Sequence, residues 1–352
     1  MVGYDWKLSE TEFTKDKGKV FSCFACGGGS SFGYKLAGFD VIGCNEIDPR
    51  MMAIYKENHH PKYTFLEGIQ TFKDRDDLPE ELYQLDILDG SPPCSSFSSA
   101  GERENGWGKK KKFREGQAEQ VLDTLFFDFI DLAKRLQPKV IVAENVKGIL
   151  LGNARRYAER VVESFDAAGY YVKWFLLDAS KMGVPQARER VFFCCLRKDL
   201  AGPVLENDNL FDPTPRLVME FNEPRISVGE FADFKGDECT SKVVRELWEN
   251  RKYGDGSQMD ACIRLYGRHS NFGQSYVYLD KPSPTLTAHK DVLIHFEKPR
   301  YTSVHEVCCI STFPQDYNFL EQQPWYVCGM SVPPLMMYGV ASEIYKQWLS
   351  KI

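Results

Sequence analysis

No apolar run in this 352-residue chain approaches the roughly 20 residues that a helix needs to cross a bilayer, which argues against a membrane-spanning protein. The amino terminus, MVGYDWKLSETEFTKDKGK, is polar and lacks the apolar centre of a secretory signal, so a cytoplasmic location is expected. No internal repeat or low-complexity tract is apparent. Positive charge is not in excess either: 44 Lys and Arg face 50 Asp and Glu, for a net charge of -6. A protein coated in basic surface is therefore excluded, although a local groove of Lys and Arg can hold phosphates while the remaining surface is acidic. The 11 cysteines are scattered, with adjacent pairs at Cys194-Cys195 and Cys308-Cys309, and suggest neither a disulfide framework nor a zinc site. Reduced thiols and no bound metal are expected. The length favours one large domain and a smaller one.

What is present centres on residues 86 to 98, Asp-Ile-Leu-Asp-Gly-Ser-Pro-Pro-Cys-Ser-Ser-Phe-Ser. A short apolar run ends at Gly90, and two prolines then forbid ladder pairing, so the chain leaves a sheet in an extended turn. Cys94 sits just past that exit, where open α/β sheets bind ligands, and is either a nucleophile or a small buried hydrophobe. Earlier, Lys19 to Ala25 reads as a buried strand, followed by Cys26-Gly27-Gly28-Gly29 and a helix start at Tyr34. Strand, glycine-rich turn and helix let backbone approach a nucleotide closely, though the same pattern serves a tight turn with no ligand. A second strand over 39–45 ends at Glu46, and an acid about 20 residues after such a turn commonly meets ribose hydroxyls.

Further along, Met51 to Asn58 is helical in pattern and Tyr63 to Ile69 a third strand. Ser95 to Gly116 is rich in Gly, Ser, Lys and Arg and suggests a lid over the site. The apolar stripe from Gln117 to Leu136 predicts a helix. A buried strand over Val140 to Ala143 meets Glu144, a helix covers Arg155 to Ala168, and Tyr171 to Asp178 is a strand. The alternation Gln186, Arg188, Arg190 leading into a strand over Val191 to Leu196 places three polar side chains on one face. Strands alternating with helices predict an α/β fold with a doubly wound, mostly parallel Rossmann-like sheet. Regularity fades over 198–280 and returns from Pro282. The expected domains are residues 1–197, a smaller irregular domain over 198–280, and a segment over 281–352 returning to the first.

Taken in order, these blocks resemble the DNA cytosine-5 methyltransferases of prokaryotic or phage restriction-modification type. Phe24-Ala25-Cys26-Gly27-Gly28-Gly29 is similar to the family's cofactor turn, and Glu46 to its ribose-binding acid. Ser91-Pro92-Pro93-Cys94 resembles the nucleophile motif, Glu144-Asn145-Val146 the Glu-Asn-Val motif, and Gln186-Ala187-Arg188-Glu189-Arg190 the Gln-x-Arg-x-Arg motif. Phe313-Pro314-x-Asp316-Tyr317 and Gly329-Met330-Ser331-Val332 resemble the last blocks. Three positions depart from the pattern: Cys26 replaces the first turn glycine, Lys281 an arginine, and Met330 an asparagine. Cys26 and Met330 bear on the geometry around the cofactor's methionine moiety.

The resemblance implies a methyltransferase sheet that uses S-adenosylmethionine, releases S-adenosylhomocysteine, and carries a target-recognition domain over 198–280. It implies that Cys94 attacks C6 of a cytosine flipped out of double-stranded DNA, with Glu144 at N3 and the exocyclic amine and Arg190 at O2. Arg188 joins these catalytic candidates and is also expected at phosphates. Phe24, Ala25, Gly27, Gly28, Gly29, Glu46, Ile47, Ile69, Pro93, Leu125 and Ser331 are the expected cofactor contacts. DNA contacts are expected from Ser95, Ser96, Lys109, Lys110, Lys111, Lys112 and Gln186, with Arg264, Arg268, His269, Asn271 and Gln274 as candidate readers of base edges. A monomer is expected, with a separately encoded restriction endonuclease as a possible companion. Two other readings stand beside this one: the tRNA-methylating branch of the superfamily, although its Cys-Phe-Thr tripeptide is absent from this chain, and a catalytically silent DNA-binding homologue.

Overall fold

The computed structural model describes residues 2–93, 110–111, 120–121, 124–152, 154–205, 214–269 and 273–352. The chain divides into two compact units, one of Glu12–Leu177, Glu189–Glu220 and Met337–Ile352, the other of Met1–Thr11, Asp178–Arg188 and Phe221–Met336.

The first half of the chain runs β1 (Lys19–Cys23), α1 (Gly29–Leu36), β2 (Asp40–Glu46), α2 (Pro49–His59), β3 (Tyr63–Leu66), α3 (Ile69–Phe72), β4 (Ile87–Gly90), β5 (Lys110–Lys111), β6 (Gln120–Val121), α4 (Leu125–Leu136), β7 (Val140–Val146), α5 (Ala154–Ala167), β8 (Tyr170–Asp178) and β9 (Glu189–Arg197). Seven of these strands form one sheet in the order β3-β2-β1-β4-β7-β9-β8. β1 to β4 and β7 pair in parallel, and β9 runs antiparallel to β7. Strands covered on both faces favour apolar residues at successive positions, which explains Ile87-Leu88 in β4 and Val140 to Ala143 in β7. On one face Phe21, Leu88, Ile141 and Phe193 join the apolar residues of α3, α4 and α5 in the main core. On the other, Ser22 and Asp89 face Tyr34 of α1. The sheet is therefore mostly parallel and doubly wound.

Local signals set the helix limits. Asp48 accepts a hydrogen bond from the Arg50 amide at 2.8 Å and Pro49 opens α2, while left-handed His60 closes it. α4 buries Leu125, Phe126, Phe129, Ile130, Leu132, Ala133 and Leu136 on one stripe, each of the larger ones contributing about 1.5–3 kcal/mol. It starts later than the sequence pattern suggests. Gln120 and Val121 instead pair with Lys111 and Lys110 in a short antiparallel ribbon, so cross-strand pairing prevails over helical periodicity there. Likewise the third strand stops at Leu66, and Ile69 opens α3. Cys23 and Cys26 stand at Cys-x-x-Cys spacing, but Cys23 is buried at the end of β1 and the Cys26 sulfur lies 3.8 Å from that of Met51. All described cysteines are free thiols, and no cluster able to hold a metal occurs among the described residues.

The other unit contains α6 (Lys242–Glu249), α7 (Gln258–Tyr266), a parallel pair of β10 (Ser275–Val277) and β11 (Leu293–His295), α8 (Val304–Ser311), α9 (Pro324–Met330) and the first residues of α10 (Pro334–Gln347). Its apolar cluster includes Cys239, Val244, Tyr276, Tyr278, Ile294 and Tyr301. At its centre the fully buried Glu306 meets the His295 ring at 3.0 Å and accepts from the amides of Ser303, Asp233 and Phe234. Burial pushes this carboxyl up, but the His295 ring and the Ser303 and Phe234 amides outweigh it and hold it below the usual carboxylate range. Because the folded value lies below the unfolded one, its stabilisation is present above about pH 4.5 and is lost as pH falls through the lowered value. Glu306→Ala should cost about 3 kcal/mol or more at neutral pH, measured by urea unfolding. A loss under about 1 kcal/mol would mean that these contacts contribute little.

Candidate active site

The parallel register brings the functional blocks to one level of the sheet. Asn45, Cys23, Gly90 and Ala143 are successive cross-strand partners, so the next residues along their strands, Glu46, Phe24, Ser91 and Glu144, emerge together at the carboxyl edge. β9 runs the other way, and its second residue, Arg190, pairs with Val146 at that same edge.

The turn after β1 holds three residues at positive φ: Phe24 at 56°, Cys26 at 46° and Gly28 at 79°. Left-handed backbone costs a non-glycine residue about 1–2 kcal/mol, and hydrogen bonds offset it here. Glu46 folds back so that one carboxylate oxygen accepts the Cys26 amide at 2.8 Å, while the other accepts the amides of Ile47 and Asp48, each at 2.9 Å. Burial raises the Glu46 carboxyl above its ordinary range, against the pull of these amides. A carboxylate has roughly four acceptor positions, so one remains for a ligand hydroxyl. Phe24 and Ile47 are half-buried, whereas Ala25, Gly27, Gly28 and Gly29 are buried. Gly28 is required twice over, by its φ and because a Cβ there would lie 2.0 Å from Nε2 of His59. His59 itself is buried against Phe32 and Tyr55, at ring separations of 3.9 and 4.3 Å. Ile69 and Leu125, expected at the cofactor, both lie in the main core.

After β4, Pro92 is buried and its carbonyl accepts from Nδ2 of Asn145 at 3.1 Å, while Pro93 is half-buried. Asn145 thus tethers the segment leading to the proposed nucleophile, a role not evident from the sequence. Cys94, Ser95, Ser96, Lys109, Lys112 and Asn271 lie outside the described residues. Lys110 and Lys111 form one strand of the short ribbon.

Glu144 and Arg190 form a close ion pair, with Oε1 2.9 Å from Nε and side chains 10% and 14% exposed. Burial lowers the Arg190 guanidinium below its ordinary range, and Glu144 opposes that shift. The three polar side chains expected on one strand face are divided instead. β9 begins only at Glu189, and Gln186 and Arg188 lie before it, in the other unit. Gln186 is buried, donating to the Ile310 carbonyl at 3.0 Å and accepting from the Leu286 amide at 2.9 Å. Arg188 is 2% exposed and donates to the carbonyls of Leu286, Gly329 and Ser331 at 3.0–3.1 Å. Both side chains are turned to backbone groups within that unit, so Arg188 is engaged with carbonyls where a phosphate contact was expected.

The remaining candidates are dispersed. Ser331 is buried and its hydroxyl donates to the Val327 carbonyl at 2.8 Å. Arg264 forms a two-pronged pair with Asp255 at 2.8 and 2.6 Å and also donates to the Asn250 carbonyl, so it braces its own unit and is not a free base reader. Arg268 and His269 are exposed and Gln274 is half-buried.

A mostly parallel, Rossmann-like sheet that brings a glycine turn, the buried acid Glu46 and a Pro-Pro segment to one edge is an α/β architecture of the methyltransferase kind. The sequence pattern of the C-5 cytosine-specific DNA methylases matches residues 18–346, and the chain belongs to that family. It is similar to the Type II methyltransferase M1.HphI of Haemophilus parahaemolyticus, with 27% identity over 92% of this chain and 85% of that protein. M.NgoPII of Neisseria gonorrhoeae is 28% identical, over 93% and 95% respectively. Among solved structures, the Dnmt2 methyltransferase of S. pombe shares the fold at a TM-score of 0.57 and 15% identity, covering 93% of this chain and 98% of that one. A DNMT2 variant of Spodoptera frugiperda does so at 0.59 and 19%, over 94% and 98%.

Gly28→Ala should cost at least about 2 kcal/mol through backbone strain and displacement of His59. It should also weaken binding of S-adenosylmethionine, measured by calorimetry. Unchanged stability and affinity together would remove Gly28 from the architecture of the turn.

Proposed function

We propose that this DNA cytosine-5 methyltransferase takes a methyl group from S-adenosylmethionine and places it on C5 of a cytosine flipped out of double-stranded DNA, by way of a covalent bond between Cys94 and C6. The observation that carries the reading is the convergence of Glu46, the glycine turn, the Pro-Pro segment and the Glu144–Arg190 pair on one sheet edge.

The donor set fits an adenosyl cofactor. Phe24 to Gly29 would hold it along the backbone, with the remaining acceptor position of Glu46 meeting a ribose hydroxyl. Bound there, the cofactor supplies an electrophilic methyl group. C5 of cytosine is a poor nucleophile until the Cys94 sulfur bonds to C6, which moves the C5–C6 π pair onto C5. Negative charge developing on the ring calls for donors: Arg190 would meet it at O2, while Glu144 would hold the base through N3 and the exocyclic amine. Such contacts in a dry site are commonly worth about 3 kcal/mol each. Once C5 carries the methyl group and the sulfonium sulfur has left with the bonding pair as neutral S-adenosylhomocysteine, loss of the C5 proton to water and departure of the Cys94 sulfur would restore the ring.

Access to C5 and C6 requires the base to leave the stack, and the segment over 95–112 is assigned to clamping the DNA behind it. Residues 198–280 are assigned to reading sequence, because they lie outside the alternating sheet pattern and outside every residue given a chemical role. The Type II relatives support a role in restriction-modification and hence a separately encoded endonuclease companion.

DNA carrying 5-fluorocytosine should trap a stable adduct, because fluorine at C5 cannot leave as a proton. The adduct should map to Cys94 and vanish in Cys94→Ser, with methyl transfer reduced at least about a thousandfold. An adduct at another residue would overturn the covalent assignment, and labelled methyl entering tRNA but not DNA would overturn the substrate. Exchanging residues 198–280 with those of a relative should change the methylated sequence read by bisulfite sequencing. An unchanged target would move sequence reading elsewhere.

A further inference from the structure

Asp89 is a buried acid with no part in the chemistry above. It is 1% exposed, one residue before Gly90 on the strand that leads to the Pro-Pro-Cys segment. The Ser22 hydroxyl of β1 donates to one of its oxygens at 2.7 Å, and the Tyr34 hydroxyl of α1 to the other at 3.2 Å. These two elements flank the glycine turn. In cross-strand register Asp89 pairs with Val142, two residues before Glu144, so both carboxyls lie on the same face of the sheet.

Resting on the reading of the site given above, we propose that Asp89 is a positioning residue for methyl transfer. The two hydrogen bonds that it accepts tie the strand carrying the nucleophile segment to the strand and helix that flank the glycine turn. Once ionised, it sets an opposing charge beside Glu144.

The groups facing it agree with this. Ser22 and Cys23 come from β1, Tyr34 from α1, Tyr55 from α2 and Glu144 from β7, with Cys194 of β9 next to Tyr34. None of these is a cation, and the nearby guanidinium, Arg190, is engaged with Glu144. Burial, reinforced by the charge of Glu144 and opposed by the hydrogen bonds from Ser22 and Tyr34, raises the Asp89 carboxyl to about 7. Ionisation would place a second negative charge on the face where negative charge must develop on the cytosine, and this opposes the transition state.

Asp89→Asn keeps the shape and an acceptor but has no proton to lose. The ratio of parent to Asp89→Asn kcat should fall several-fold between about pH 6 and pH 8, with its inflection near 7. Asp89→Leu removes both hydrogen bonds and should lower kcat about tenfold, with the equilibrium affinity for S-adenosylmethionine changed less than about threefold. A pH-independent ratio would overturn the proposal, as would an Asp89→Leu enzyme with the parent's kcat. Should Asp89→Leu fail to fold, the Asn variant alone decides, since a purely structural role moves stability but not the pH profile of the ratio. A parent enzyme that transfers no methyl group to DNA would overturn the proposed function instead, so the two failures are distinguishable.

Discussion

Everything in the catalytic half of the molecule depends on the parallel register of β2, β1, β4 and β7. Backbone pairing across these four strands puts Asn45, Cys23, Gly90 and Ala143 at one level, and the blocks that these four strands carry begin at the next residue. A slip of one residue in any strand would turn its side chains to the other face and move its loop by about 3.3 Å. Burial on both faces makes such a slip costly. Phe21, Leu88 and Ile141 go into the core below α3 to α5, so their neighbours have no choice but the face toward α1. Arg190 reaches the same edge by the opposite route, near the start of an antiparallel strand, which is why an arginine 46 positions after Glu144 lies 2.9 Å from it.

The edge so built is held by backbone groups as much as by side chains. Glu46 satisfies three amides of the turn and its own strand exit, and Asn145 holds the Pro92 carbonyl. Both residues therefore act on structure before any ligand arrives. The left-handed Phe24 and Cys26 are held in a turn fixed by the bonds of the Ala25 amide to Asn45, the Cys26 amide to Glu46 and the Gly28 amide to Ala25. The presence of Cys26 in place of glycine thus leaves the turn's backbone path intact while adding a side chain, whose sulfur rests near that of Met51.

Much of this could be read from the chain itself, for a physical reason. β1, β2, β4, β7 and β9 are mostly apolar because they are buried, and Gly28, Glu46 and Glu144 stand out as a glycine turn and acids next to those apolar runs. What could not be read is which distant partner a polar group would find. Arg188 looks like a phosphate ligand in sequence, yet its acceptors are carbonyls 98 to 143 residues away. Arg264 looks like a base reader until Asp255 is seen across the α7 turn. The ribbon of 110–111 with 120–121 was hidden because Val121 fits a helical stripe as well as a strand.

The Gln-x-Arg-x-Arg block illustrates the limit of reading a motif as a single function. Its spacing suggests one strand face, but the chain passes from one unit to the other between Arg188 and Glu189. Gln186 and Arg188 spend five hydrogen bonds on the unit that contains Leu286, Ile310, Gly329 and Ser331, while Arg190 pairs with Glu144 in the sheet. Gly329 shows how tight that clamp is, since a Cβ there would lie 2.4 Å from the Thr287 backbone. A motif of five residues therefore couples two demands, a fixed backbone lattice on one side and a buried ion pair on the other. An arginine is needed for each for different reasons: Arg188 for its number of donors to carbonyls, Arg190 for a charge opposite a carboxylate. Lysine at the first would leave carbonyls unmet, and at the second could not meet the Glu144 carboxylate through one nitrogen and the Glu189 carbonyl through another in a fixed plane.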